Sequence, residues 1–115
     1  MSELNLGTAR ICLEHEYGMY TLDFFGRNTQ GTIYNIEWLQ LKSFAFELEA
    51  LVEEDVSEYR KTQLGDGAEA VVRKLYFDGY SLEFRFRDNS LTEILDGDCA
   101  VKALINFLKN ETSEE

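Results

Sequence analysis

Residues 35–61, NIEWLQLKSFAFELEALVEEDVSEYRK, form the longest stretch of this 115-residue chain with helical periodicity. Apolar side chains recur in it at steps of three and four, a spacing that buries one face of a helix. They are Leu41, Ala45, Leu48, Val52, Val56 and Tyr59, with Trp38, Phe44 and Leu51 widening the stripe. Because Asn35 suits a helix cap, and Arg60 and Lys61 suit a last turn, the pattern predicts a helix over 35–61.

The residues before this helix alternate apolar and polar side chains, as half-buried strands do. Residues 8–16 and 19–25 flank Tyr17-Gly18, so they predict an antiparallel hairpin with a turn at that dipeptide. Residues 32–34 can add a short third strand after a polar loop. Residues 1–7 carry no such alternation, and we expect them to be frayed.

The residues after the helix predict a second group of strands. Residues 63–70, QLGDGAEA, lack an apolar period and are expected to form a mobile linker. Residues 71–77 and 80–87 flank Asp78-Gly79, a dipeptide typical of a two-residue hairpin turn. A strand over 91–95 follows. Asp98 is expected to cap a final helix over 98–109, and the acidic residues 110–115 to form a frayed tail.

Strands followed by a helix thus occur twice along the chain, with no residue-level similarity that we detect between the halves. Hairpins followed by helices predict an α+β fold, in which an antiparallel sheet carries the helices on one face or at one end. A length of 115 residues and 44% hydrophobic residues suit one compact domain over residues 1–115.

The chain has no apolar run of membrane-spanning length and no signal peptide at its start, so we expect a cytoplasmic protein. Cys12 and Cys99 lie in apolar-patterned segments without a CxxC pair. We therefore expect two reduced, buried thiols.

Acidic residues dominate the composition: 22 Asp and Glu oppose 11 Lys and Arg, giving a net charge of −11. Such a charge repels phosphate backbones and anionic membranes and attracts basic partners, or it serves solubility alone. The densest carboxylate run consists of Glu53, Glu54, Asp55 and Glu58. It is interpreted either as a solvated helix face or as a surface that binds the cations of a protein partner.

Nothing in the sequence predicts catalysis, a metal or a cofactor. His15 is the only histidine, and on a strand it lies on the face opposite Glu14 and Glu16, which makes a local metal site geometrically poor. A Ser or Cys nucleophile usually needs a histidine base, so a triad hydrolase is nearly excluded. Gly65-Asp66-Gly67 follows a helix and precedes a strand, which is the reverse of a phosphate-binding glycine loop.

Basic residues cluster on the second hairpin. Basic strands interleaved with aromatic residues are typical of sheets that bind single-stranded nucleic acid. The candidates are Arg73, Arg85 and Arg87, with Tyr76 and Tyr80 at the hairpin tip. The alternative interpretation is cross-strand pairing of Arg73 or Lys74 with Glu83.

Two successive units of antiparallel strands followed by a helix, with Trp38 early in the first helix, resemble the layout of Whirly and transcriptional-coactivator type single-stranded-DNA-binding proteins. The resemblance covers most of the chain as element order and carries over no functional residue. It implies an α+β fold and DNA binding through basic strand faces. In size and charge the chain is also similar to small acidic immunity and inhibitor proteins.

We therefore expect a non-enzymatic protein, monomeric or homodimeric, whose acidic surface occludes a basic partner protein such as a toxin or nuclease. A single-stranded nucleic-acid-binding regulator is the alternative.

Overall fold

The computed structural model describes residues 1–53, 59–75 and 79–113, and these residues form two successive units of four strands and one helix. The first unit contains β1 (Ser2–Asn5), β2 (Arg10–Glu16), β3 (Met19–Phe25), β4 (Gln30–Ile36) and α1 (Trp38–Glu53). Its strands pair in chain order as a four-stranded antiparallel sheet.

The second unit repeats this arrangement. It contains β5 (Tyr59–Leu64), β6 (Ala68–Lys74), β7 (Gly79–Arg85), β8 (Ser90–Asp96) and α2 (Gly97–Thr112). Its strands form a second antiparallel sheet, again in chain order. The predicted α+β class is confirmed, and the strands divide between two sheets.

The two units share a short sequence match at one strand and one helix face, contrary to our expectation from the sequence. The segment Tyr-Thr-Leu-Asp-Phe at 20–24 of β3 has its counterpart in Tyr-Ser-Leu-Glu-Phe at 80–84 of β7, 60 positions later. Buried positions of the helices follow the same spacing: Leu41, Phe44, Ala45 and Leu48 of α1 match Val101, Leu104, Ile105 and Leu108 of α2. The other strands do not match in sequence, and the hairpin loops of the two units differ in length.

A shared hydrophobic core joins the units. The buried side chains of both sheets and both helices belong to one cluster. At its centre the ring of Phe84 contacts Phe24 with centroids 4.9 Å apart and Phe44 with centroids 6.4 Å apart, both edge to face. The inward faces of the two sheets therefore meet directly. α1, which follows the first sheet in the chain, also packs against the second sheet.

The helices pack antiparallel to each other. The indole N–H of Trp38, at the start of α1, donates to the carbonyl of Thr112, at the end of α2, over 3.0 Å. Lys109 Nζ lies 2.7 Å from Glu49 Oε2 across the same interface. Because unpaired carbonyls at a helix end need donors, the indole also caps α2.

The predicted helix over 35–61 is wrong at both ends. Asn35 belongs to β4, where it adopts a positive φ of 59° at a bulge, and the helix begins at Trp38. Tyr59 and Lys61 belong to β5, in which exposed residues alternate with inward ones, so the basic residues of a supposed last turn lie in a strand. The face assignment holds, because Leu48 is buried and Glu53 is exposed.

The predicted linker and frayed ends also contain regular structure. Residues 63–70 comprise the end of β5, a three-residue turn and the start of β6, which is a tight hairpin. β1 lies within the segment expected to be frayed, because it pairs with β2 and its Leu4 packs against the core. α2 continues to Thr112, three residues beyond its predicted end at 109.

Two turn and cap predictions need correction. A two-residue turn at Asp78-Gly79 would pair residue 77 with Tyr80, but Lys74 lies opposite Tyr80, and residues 76–78 are outside the described part of the chain. Asp96 rather than Asp98 is the N-cap of α2. Asp98 instead lies in the first helical turn, where its Oδ1 accepts a 2.8 Å hydrogen bond from the Tyr80 hydroxyl.

Both cysteines are free thiols, but only Cys12 is buried; Cys99 is exposed, contrary to expectation. Within the described ranges, no helix is both long and apolar enough to cross a membrane.

Candidate partner-binding surfaces

The carboxylate run predicted for partner binding is only partly within the described residues. Glu53 is exposed at the last residue of α1, beside a groove that Val52 and Lys102 also line. Glu54, Asp55 and Glu58 lie outside the described ranges. The described part of this predicted site is thus a single exposed carboxylate at a helix end.

A larger group of carboxylates lies on the outward face of the first sheet. Strand register places Glu3 opposite Cys12, and Cys12 opposite Asp23, while Glu14 and Glu16 follow Cys12 on the same side of β2. We call Glu3, Glu14, Glu16 and Asp23 the acidic sheet face. Arg10 is the one cation that this register adds to the same face of β1, β2 and β3.

Two carboxylates of α1 have close cationic partners. Glu47 lies 3.1 Å from Arg60, and the Glu49–Lys109 pair measures 2.7 Å. On the acidic sheet face, Glu3 reaches Arg10 only at 3.8 Å. Among the described residues, Glu14 and Glu16 are in no ion pair, so their charge is available to a partner.

The pKa of the Cys12 thiol is affected by the charges of this face. Burial raises the pKa of its thiol, the charge of Glu3 raises it further, Arg10 opposes the change, and Asp23 and Glu14 add smaller increases. Carboxylates from three neighbouring strands therefore act on one position, as expected where negative charge is concentrated.

The β2–β3 turn presents a tyrosine at the edge of the acidic sheet face. Tyr17 and Gly18 have φ of 54° and 79°, and they connect Glu16 directly to Met19, as in a two-residue type I′ turn. This confirms the predicted turn. Tyr17 is 100% exposed. A bulky residue with positive φ is uncommon, so the fold holds this side chain in solvent at a conformational cost.

Contacts to α2 fix the hairpin below this turn. The His15 ring stacks on the Tyr20 ring with centroids 4.1 Å apart. The Tyr20 hydroxyl donates to the Glu111 carbonyl over 3.2 Å, and burial, with a smaller contribution from Glu111, raises the pKa of the Tyr20 phenol. His15 is therefore part of an aromatic stack that supports the hairpin.

A second exposed aromatic residue lies on the neighbouring β4 strand. Tyr34 is 64% exposed, next to the bulge at Asn35. The Asn35 amide donates to Asp66 Oδ2 over 2.9 Å, which ties the bulge to the β5–β6 turn. A Cβ added to Gly65 in that turn would lie 2.2 Å from the Tyr34 carbonyl oxygen, so the two units are in close backbone contact here.

The outward face of the second sheet differs in charge. Register places Lys61, Arg73 and Arg85 on one side, together with Glu69 and Glu83. The Arg73 guanidinium lies 4.9 Å from the centroid of the Tyr59 ring. We call Tyr59, Lys61, Arg73 and Arg85 the basic sheet face.

The other residues predicted for nucleic-acid binding do not all join this face. Tyr80 is buried and points into the core, so it is unable to stack on a base. Arg87 is exposed in the turn after β7, and Tyr76 is outside the described residues. The strand register does not place Arg73 or Lys74 opposite Glu83, as the alternative interpretation expected, because Val71 lies there. Glu83 Oε2 instead lies 3.2 Å from Nε of Arg85 on its own strand.

The acidic sheet face and its tyrosines were not predicted as a site, although Glu14, Glu16 and Tyr17 are adjacent in the sequence. In the part of the chain that the structure describes, no group of three His, Cys, Asp or Glu side chains is placed to hold a metal ion. The chain matches no protein-family model, no curated protein and no solved structure.

Proposed function

We propose that this protein binds a basic protein partner through the acidic sheet face. The observation that carries the proposal is the gathering of Glu3, Glu14, Glu16 and Asp23 on one outward sheet surface with a single compensating cation. A concentrated field of this kind increases the rate at which a basic partner docks and orients it before contact.

Two exposed tyrosines supply the aromatic contact area that charged side chains lack. Exposed carboxylates at the rim of an interface contribute mainly to association rate, whereas aromatic side chains dominate the binding free energy of many interfaces. Tyr17 and Tyr34 are exposed on the first unit, and the Tyr20 contact to α2 limits the freedom of the hairpin that carries Tyr17. A backbone held in place before binding reduces the conformational entropy that is lost when the partner binds.

A negatively charged, tyrosine-tipped hairpin suits a concave basic surface, such as the cleft in which a nuclease or toxin binds an anionic substrate. The proposed activity is therefore of the immunity or inhibitor type, in which the acidic sheet face occupies that cleft and excludes the substrate. The protein itself performs no chemistry in this proposal.

Affinity capture tests the proposal. Tagged protein is incubated with lysate of its source organism, bound proteins are eluted with a salt step, and the eluted protein is purified for kinetic measurement. Glu14→Lys with Glu16→Lys is expected to slow association and flatten its salt dependence, because attraction between exposed charges is screened by salt. Tyr17→Ala is expected to speed dissociation, because it removes buried contact area.

A matched variant separates local charge from net charge. Asp88→Lys with Glu69→Lys makes the same charge change at residues of the second unit that are in no ion pair among the described residues. It is expected to change association far less than the Glu14 and Glu16 pair does. Equal effects of the two double variants, or capture of a partner that is not basic, would contradict the proposal.

The basic sheet face favours a second candidate function, binding of single-stranded nucleic acid. Three cations and the Tyr59 ring, which share one outward sheet surface with Glu69 and Glu83, suit backbone contacts and base stacking. A labelled oligothymidine titration at low and moderate salt tests it. If this function is correct, Arg73→Ala and Arg85→Ala weaken binding and each lower the salt slope by about 0.7. Absence of binding at low salt, where attraction is least screened, would exclude it.

A further inference from the structure

The outer surface of α1 carries apolar side chains that no described element covers. Leu39 is 62% exposed and Phe46 is 65% exposed, although both are large and apolar. Ser43 and Ala50 lie at the helical spacing that places them on the same side as these two residues. We call Leu39, Ser43, Phe46 and Ala50 the α1 stripe. It lies opposite the buried face that contains Leu41, Phe44, Ala45, Leu48 and Leu51.

Large and small residues alternate along the α1 stripe in a self-complementary order. If a second copy of the helix lies antiparallel to the first, with its two-fold axis midway between Ser43 and Phe46, each Phe46 faces the Ser43 of the other copy. The same axis brings Leu39 opposite Ala50. A large side chain thus meets a small one at each of these positions, as in packed helix interfaces.

The charged residues beside the α1 stripe change from positive to negative along the helix. Lys42 lies toward the start of α1, and Glu49 lies two turns later on the same flank. Within one chain Lys42 Nζ lies 4.5 Å from the centroid of the Trp38 ring, and Glu49 pairs with Lys109. An antiparallel copy brings each Lys42, which has no carboxylate partner among the described residues, toward the Glu49 of the other chain. A uniformly basic partner would gain less binding free energy here, because Lys42 and Lys109 border the groove of about 300 Å³ that adjoins Phe46.

We propose that the α1 stripe is the interface of a two-fold symmetric homodimer, in which α1 packs antiparallel against α1 of a second copy. This proposal uses a different surface from the acidic sheet face and is independent of the proposed function. The dimer would leave both acidic sheet faces uncovered by the helix contact.

Sedimentation velocity across a concentration series from micromolar to millimolar tests the proposal. The wild-type protein is expected to show a reversible monomer–dimer equilibrium. Phe46→Glu places a charge at the centre of the interface and is expected to raise the dissociation constant at least about 30-fold, the effect typical of losing a central aromatic contact. Ile94→Glu, at a residue of β8 that is 49% exposed, makes the same change elsewhere and should leave the dimer intact.

Charge reversal tests the antiparallel arrangement. Lys42→Glu is expected to weaken the dimer because it brings carboxylates together. Addition of Glu49→Lys together with Lys109→Glu, which keeps the ion pair between residues 49 and 109 with its signs exchanged, should recover association. Failure of this triple variant to recover would overturn the antiparallel arrangement.

Circular dichroism establishes that each variant is folded, and Phe46→Ser, which adds no charge, replaces Phe46→Glu if the latter does not fold. A wild-type protein that stays monomeric at millimolar concentration overturns the proposal. Retention of the dimer in folded Phe46 and Leu39→Glu variants overturns it as well, because the contact then lies elsewhere.

Discussion

The rings of Phe24 and Phe84, at corresponding positions of the two units, meet edge to face with centroids 4.9 Å apart and planes inclined by 61°. This contact joins the central strands of the two sheets. Each ring is almost completely buried, at 1% and 0% exposure. The two units therefore stabilise each other through the same residue of their repeated segment.

Replacing either phenylalanine by alanine is expected to lower the free energy of unfolding by about 3–5 kcal/mol, because a large buried side chain is lost and a cavity remains. The double variant should lose less than the sum of the two single losses, by about 0.5–1.5 kcal/mol, because the rings contact each other. Urea unfolding of all four proteins gives the coupling. Strict additivity would mean that the two sheets are stabilised independently.

Gly65 and Gly67 offer a comparison within one turn. Both have positive φ, of 60° and 84°, but only Gly65 has a backbone oxygen where a Cβ would lie. Gly67→Ala is expected to lower stability by about 1 kcal/mol through backbone strain. Gly65→Ala should cost roughly 2–4 kcal/mol because the clash with Tyr34 adds to that strain. Denaturant midpoints measure both, and equal losses would contradict the close contact between units.

Tyr17 occupies a position at which the turn favours asparagine. Tyr17→Asn is expected to raise the free energy of unfolding by about 1 kcal/mol, because asparagine tolerates positive φ more readily than tyrosine. Tyr34→Asn makes the same exchange at an exposed tyrosine that does not have a positive φ, and it should give no such gain. Thermal and urea unfolding compare the two. A gain in stability with a loss of partner binding at Tyr17 would identify the strain as the cost of the binding contact.

The two thiols should differ in reactivity. Cys99 is exposed, whereas Cys12 is buried and its pKa is raised by burial and by nearby carboxylates, of which Glu3 is the largest contributor. Because the thiolate is the reactive form, Ellman's reagent should modify one thiol rapidly and the other slowly in the native protein. Cys99→Ser should remove the rapid phase, and guanidinium should make both thiols react rapidly. Two rapid phases in the native protein would argue against the acidic field at Cys12.

Local sequence patterns predicted much of the secondary structure. The strand at 19–25 has the predicted bounds, and the turn at Tyr17-Gly18 is where glycine and alternation indicate it. Such features depend on neighbours in the chain, whose apolar spacing and backbone freedom are visible in the sequence. The predicted α+β class followed from their order.

Long-range contacts decided the features that the sequence did not predict. Tyr59 and Lys61 fit a helical stripe as well as a strand, and pairing with β6 selects the strand because it satisfies their backbone hydrogen bonds. The match of 20–24 to 80–84 is present in the sequence but short, and it gains meaning because both segments occupy the same place in their sheets.

The sequence by itself determined the amount of charge, the alternation of the strands and the class of the fold. Tertiary structure alone decided where the charge lies: register brings Glu3, Glu14 and Asp23 from three strands onto one face and places Lys61, Arg73 and Arg85 on another. The physical reason is that alternation states only that a side chain lies on one of two faces. Which face is buried, and which residues stand opposite, depends on strand pairing between distant segments and on the core that both units share.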